Sequence, residues 1–145
     1  YTPRTLFPYT TLFRSIISDP NAAANYVKII NILKSKGLID GIGIQCHQFN
    51  MDTVSVSTMK SVLNTLSSTG VPIYVSELDI SGDDATQLAR YKEKFPVLWE
   101  NPNVKGITLW GYIQGQTWKA NTHLITSSGT ERPALKWLKS YLSTH

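Results

Sequence analysis

The 145-residue sequence contains a single cysteine, Cys46, so no disulfide can form within one chain. It has no run of about 18 apolar residues, the length that spans a bilayer as a helix, and we expect no membrane insertion. Lysine and arginine are not clustered although the net charge is +4, which argues against nucleic acid as a partner. A hydrophobic fraction of 41% with 17% charged residues is typical of a globular domain.

Residues 1–15 differ from the remainder. Thr-Leu-Phe occurs twice there, at 5–7 and 11–13, without helical or strand periodicity. The segment resembles translated sequencing-adapter sequence, and we predict that it is non-native; a genuine flexible N-terminus is the alternative. Leaving out Arg4 and Arg14 reduces the 14 basic residues to 12 against ten acids, a net charge of only +2. We place one domain at 16–145.

Helices and strands alternate along this domain. Asp19 followed by Pro20 predicts a helix start, because the aspartate caps the first turn and proline fits its first position. Pro96 lies within the third predicted helix, and we expect it to bend this helix or end it early. The predicted helices cover 20–36, about 57–68, 83 or 84 through 99, and 133–142, and the predicted strands cover 39–47, 71–80 and 104–112.

This alternation indicates an α/β fold with parallel strands joined by crossover helices. The strand ends carry His47, Glu77 and Trp110, which are 30 and 33 residues apart. An eight-unit (β/α)8 TIM barrel has about 31 residues per unit, and this domain holds about half of one. A doubly wound nucleotide-binding sheet is not favoured, because Gly41-Ile42-Gly43 begins a strand and lacks the third glycine of the dinucleotide motif.

Polar and aromatic side chains follow the ends of these strands. Glu77 and Asp79 end an otherwise apolar strand, and side chains two apart point to the same side. Taken singly, a histidine at a strand end is more often a core residue, and a lone tryptophan is more often packing. Their joint placement favours a sugar site, since active sites of parallel barrels lie at these ends and indoles stack on sugar rings. The candidates are Gln45, His47, Glu77, Asp79, Trp110 and Trp118; Cys46 is assigned to the core and His123 is left unassigned.

Three motifs resemble glycoside hydrolase family 10, the endo-1,4-β-xylanases. They are 41–47, 73–80, and 107–111 together with Trp118, and the resemblance covers about 16–145. The order, content and spacing of the motifs all match. The resemblance implies the C-terminal half of a (β/α)8 TIM barrel, about strands 6–8 with helices 5–8.

The resemblance also implies a role for each residue in a retaining mechanism. Glu77 would be the nucleophile, His47 would hydrogen-bond it, and Asp79 would hold His47. The partner would be xylan or a xylo-oligosaccharide, and we expect neither a metal nor an organic cofactor. The residues expected to line the sugar subsites are Gln45, Trp110 and Trp118.

In this family the acid/base glutamate follows an asparagine, and the sequence contains no Asn-Glu pair. We therefore expect a fragment that holds the nucleophile, hydrolyses xylan negligibly by itself, and aggregates through open strand edges. Two alternatives stay open: a non-catalytic carbohydrate-binding barrel fragment, and a β-glucanase or cellulase of the same barrel type. The parent protein is expected to be secreted or periplasmic, with the signal region absent here; the oligomeric state is open.

Overall fold

The computed structural model describes residues 5–6 and 15–145, so most of the segment 1–15 lies outside the described residues. Four parallel strands form one sheet in chain order. The strands are β1 (Thr5–Leu6), β2 (Gly41–Cys46), β3 (Ile73–Leu78) and β4 (Val104–Leu109). After a 3-10 turn at Ile16–Ser18, the helices are α1 (Pro20–Ser35), α2 (Gln48–Met51), α3 (Val56–Ser67), α4 (Asp84–Trp99) and α5 (Pro133–Leu142).

The predicted start of the first helix is confirmed. The carboxylate of Asp19 accepts hydrogen bonds from the backbone N–H groups of Asn21 at 2.8 Å and Ala22 at 3.1 Å. Pro20 occupies the first helical position, where its missing N–H costs no hydrogen bond. Beyond the other end of α1, Gly37 adopts a φ of +64°, which glycine reaches without strain.

Helix α4 continues through Pro96 and ends at Trp99, as its predicted range does. Pro96 lies in the last turn, where its lack of an N–H removes one helical hydrogen bond. Its carbonyl still accepts from the backbone N–H of Glu100 at 2.9 Å. Phe95 and Leu98, on either side of the proline, are buried, and their packing holds this last turn against the core. Of the two effects expected of Pro96, a bend or an early end, the early end therefore does not occur.

The helices pack side by side against the sheet. Helix α1 contacts α3, α3 contacts α4, and α4 contacts α5, in the order of the strands that they connect. All six residues of β2 are buried, and the Tyr26 hydroxyl of α1 donates to the carbonyl of Gly43 at 3.3 Å. This layer of neighbouring helices over parallel strands is the arrangement that the alternating sequence predicted.

Strand β3 contains a bulge next to the candidate site. Between Val75 and Leu78 it has one residue more than β4 opposite it, and its register with β2 shifts at the same place. Val75 and Leu78, three positions apart, are therefore both buried in the core. The bulge turns Glu77 away from the face occupied by Val75, whereas regular alternation would have put them together.

One edge of the sheet has no partner strand in the described part of the chain, because β4 pairs only with β3 there. No helix within 15–145 is both long enough and apolar enough to cross a membrane.

Candidate active site

The side chains predicted from the three strand ends come together in the structure. A cavity of about 170 Å³ opens where β2, β3 and β4 end. Asp79 is the one candidate outside its lining; it is buried behind His47. The residues that line the cavity are Gln45, His47, Phe49, Glu77, Trp110 and Trp118.

The carboxylate of Glu77 is held by two donors from β2 and its end. Its Oε1 accepts a hydrogen bond from Nε2 of Gln45 at 3.0 Å. Its Oε2 lies 2.7 Å from Nε2 of His47. The Glu77 side chain is 15% exposed, so it still reaches the cavity. A carboxylate that is fixed in direction and open on one side is suited to attack an electrophilic carbon.

The carboxylate of Asp79 is buried and surrounded by donors. Its Oδ2 lies 3.4 Å from Nδ1 of His47 and accepts from Nε1 of the Trp118 indole. Its Oδ1 accepts from the backbone N–H of Gln48 at 2.5 Å. Three donors satisfy this buried carboxylate, two from the adjacent residues His47 and Gln48 and one from Trp118. Asp79 therefore ties the loop that follows β4 to the end of β2.

His47 lies between the two acids and is itself buried. Burial lowers its pKa, but the hydrogen bond and charge of Asp79, followed by those of Glu77, outweigh burial and raise the pKa above its ordinary value. A neutral imidazole has one N–H, whereas the imidazolium donates from both nitrogens. Because each ring nitrogen faces a carboxylate, the protonated ring satisfies both acids at once.

Two tryptophans border the imidazole, and a lysine lies over the ring of one of them. The ring centroid of Trp118 lies 4.7 Å from that of His47, and the ring of Trp110 lies 6.0 Å away in an edge-on orientation. Both indoles are about half exposed. The Lys119 ammonium lies 5.0 Å from the centroid of the Trp118 ring. Half-exposed indoles beside a carboxylate offer the apolar faces on which sugar rings stack.

Phe49 belongs to this site and was missed from the sequence. Its ring lies 5.5 Å from that of His47 and 6.3 Å from that of Trp118. It sits on α2, a single turn of four residues that is too short to produce a helical period. One sequence signal could have identified Phe49. It lies two residues after His47, at the end of a strand that already carried candidate site residues.

Two other residues lie outside the site. Cys46 is buried in the core as predicted, and burial together with the charge of Asp79 raises the pKa of its thiol. His123 lines a separate polar cavity beside Arg132. Burial and then the charge of Arg132 lower the pKa of His123. Within residues 15–145, no group of three His, Cys, Asp or Glu side chains is placed to hold a metal ion.

Comparison with known proteins gives concordant matches. The family model described as Glycosyl hydrolase family 10 matches residues 14–141. Endo-1,4-beta-xylanase B of Cellvibrio japonicus is 41% identical over 120 residues, which cover 80% of this chain and 20% of that protein. Xylanase 10B from Thermotoga maritima superposes with a TM-score of 0.71 at 27% identity. GH10 from Paenibacillus barcinonensis does so with a TM-score of 0.74 at 25% identity.

Each of these two structural matches covers 88% of this chain and 44% of the solved chain. The chain thus spans a fifth of the first of these relatives and less than half of the solved structures. The fold prediction, part of a (β/α) barrel, is confirmed by the parallel sheet and by both superpositions. With the family model matched along almost all of the domain predicted at 16–145, this chain belongs to glycosyl hydrolase family 10.

Proposed function

We propose that this chain carries the nucleophile side of the active site of a retaining endo-1,4-β-xylanase. The observation that supports this most strongly is the Glu77 carboxylate, which Gln45 and His47 orient towards a cavity walled by aromatic rings. The proposal assigns the nucleophile to Glu77, a supporting role to His47 and Asp79, and sugar contacts to Gln45 and the tryptophans. The names of the relatives support xylan as the substrate class.

In the proposed first step, an oxygen of Glu77 attacks the anomeric carbon of a xylose unit. The bond from that carbon to the leaving sugar oxygen breaks, and a covalent glycosyl-enzyme forms. The departing oxygen takes a proton from a second carboxyl group, which retaining enzymes place about 5–5.5 Å from the nucleophile. Water then cleaves the glycosyl-enzyme and releases the sugar with retained configuration.

His47 prepares Glu77 for this step. Nε2 of His47 lies 2.7 Å from Oε2 of Glu77, and this contact fixes the direction of the attacking carboxylate. Asp79 holds the opposite ring nitrogen at 3.4 Å and thereby fixes the plane of the ring. Because Asp79 is buried and has three donors, it is a poor candidate for the second carboxyl group that protonates the leaving sugar.

The second carboxyl group is therefore assigned to a part of the barrel that this chain does not supply. Without it, we expect the chain alone to hydrolyse xylan very slowly, since general acid catalysis contributes typically 10²–10⁴-fold. A purely carbohydrate-binding role would need the two tryptophans but not the contacts of His47 with both acids. Those contacts favour the enzyme over the binding module.

The proposal is tested by restoring a complete barrel. We would join residues 16–145 to the upstream segment of a family relative and replace Glu77 by Gln, with the exposed Glu93→Gln as the matched control. The expected result is loss of xylan hydrolysis by several orders of magnitude with retained xylo-oligosaccharide binding in the Glu77 variant. Hydrolysis that persists in that variant would contradict the nucleophile assignment, and preferred hydrolysis of cellulose or mixed-linkage glucan would support the related glucanase.

A further inference from the structure

We propose that Arg132 and Gln87 are positioning residues that hold the Trp118 indole against Asp79. Neither side chain lines the cavity at Glu77, and both act through backbone carbonyls. That these two residues position the indole does not depend on the function proposed above. Only the expected consequence for sugar binding rests on that function.

The Arg132 guanidinium joins two segments of the chain. It is 7% exposed, and its Nη1 donates to the carbonyls of Asn121 at 3.3 Å and His123 at 2.9 Å. Its Nη2 donates to the carbonyl of Gly82 at 2.8 Å, and its Nε donates to Asp84 Oδ1 at 2.6 Å. The planar fork of arginine suits this task, because a lysine could not aim donors at so many fixed acceptors.

Gln87 approaches the same carbonyls from α4. Its Nε2 donates to Ile80 at 3.0 Å, to Asn121 at 3.3 Å and to His123 at 3.1 Å. The side chain is fully buried, and its Oε1 has no hydrogen-bond partner among the described residues. What it supplies is an NH₂ group with two N–H donors, which three carbonyl oxygens share.

The two segments that these donors connect are continuous along the chain with residues of the active site. Residues 80–82 follow directly after Asp79, and residues 121–123 follow shortly after Trp118. Asn121 has a φ of +61°, a conformation that non-glycine residues adopt uncommonly, and the two donors hold its carbonyl there. On the cavity side, the same two segments meet again in the bond from the Trp118 indole to Asp79.

Packing alone does not fix the indole, because Trp118 is 46% exposed. Its position is set by the loop that carries it, and Arg132 and Gln87 hold the far end of that loop. If they loosen, the indole moves away from Asp79 and the stacking surface beside His47 is lost. A merely structural role would lower stability without moving the indole relative to Asp79.

The experiment follows the Trp118 indole N–H resonance by NMR in the full chain, assigned by its disappearance in Trp118→Phe. The variants are Arg132→Met, Gln87→Met and Arg132→Lys. Lys136→Met is the control, because it removes an exposed cation from α5, the helix that begins directly after Arg132. In both methionine variants we expect the resonance to shift towards that of a solvent-exposed indole, with Arg132→Lys intermediate. Hydrogen exchange in 111–123 should accelerate by roughly tenfold, equivalent to about 1.4 kcal/mol of local opening.

An unchanged Trp118 resonance in a folded Arg132→Met or Gln87→Met chain would overturn the proposal. Failure of all three variants to fold would also overturn it, since these residues would then be structural. Xylotetraose titration completes the test, and we expect roughly tenfold weaker binding wherever the indole has moved. If the wild-type chain binds no xylotetraose while the resonance shifts as expected, the sugar function fails and the positioning role stands.

Discussion

Nε2 of His47 lies 2.7 Å from Oε2 of Glu77, although the two residues are 30 positions apart in the sequence. The contact exists because β2 and β3 are parallel neighbours and end at the same edge of the sheet. On its other side, the imidazole faces Asp79. The pairing of the two strands thus places an imidazole between two carboxyl groups, and this arrangement can be tested by titration.

We predict that His47 titrates above its ordinary value of about 6.5 and that Asp79→Asn lowers its pKa, since Asp79 gives the largest raising contribution. A histidine whose pKa is raised by folding stabilises the native state fully below about pH 6.5. This stabilisation disappears as pH rises through the raised pKa. NMR titration of the His47 ring would measure its pKa. Urea unfolding between about pH 5 and 9 would measure the fall in the free energy of unfolding as His47 loses its proton.

The control for this titration is His145→Gln, which leaves the buried imidazole in place. His47→Gln should remove the fall in the free energy of unfolding over the same pH range. A fall of equal size in His47→Gln and in the wild type would show that another group causes it.

We predict that Asp79→Asn destabilises the chain by about 1–3 kcal/mol in urea unfolding. The amide keeps the size of the side chain but brings an NH₂ group towards donors that now face a carboxylate, namely Gln48 N–H and the Trp118 indole. Glu93→Gln, an exposed acid of α4, is the control and should change stability by less than about 0.5 kcal/mol. If both variants unfold at the same urea concentration as the wild type, Asp79 does not hold these segments together.

Phe49→Ala should weaken xylo-oligosaccharide binding by about 0.5–1.5 kcal/mol, because the ring lies against both His47 and Trp118 in the cavity wall. Calorimetric titration with xylotetraose would measure the change. Leu142→Ala removes an exposed apolar side chain outside the cavity and should bind as the wild type does. Equal affinity of the Phe49 variant and the wild type would exclude this ring from the sugar site.

We predict that the isolated chain associates with increasing concentration. Strand β4 has a free edge within the described sheet, and the exposed apolar side chains include Trp99, Trp110 and Leu142. Unpaired strand edges promote association with other chains. Sedimentation velocity over a hundredfold range of concentration would detect this, and a monomer with a sharp, concentration-independent melt would contradict it.

The sequence predicted the alternation of elements because apolar periodicity and capping residues are local signals, as at Asp19 and Pro20. The sequence also predicted that Glu77 and His47 lie at the same edge of the sheet, because parallel strands have their carboxyl ends at one edge. The bulge in β3 could not be predicted, since it is defined only by pairing with two other strands. The contacts of Arg132 and Gln87 could not be predicted either. Their partners are backbone carbonyls, which every residue has and which therefore give no signal in the sequence.

The most direct measurement of the central claim is covalent trapping on the chain itself. A 2-deoxy-2-fluoro-xylobioside with a dinitrophenolate leaving group needs no proton from an acid, so an oriented nucleophile can attack it without the rest of the barrel. We predict a stoichiometric mass increase on the peptide that contains Glu77, absent in Glu77→Gln and unchanged in Glu93→Gln. Labelling at Asp79, or no labelling of a folded chain that binds xylotetraose, would contradict the assignment of Glu77 as the nucleophile.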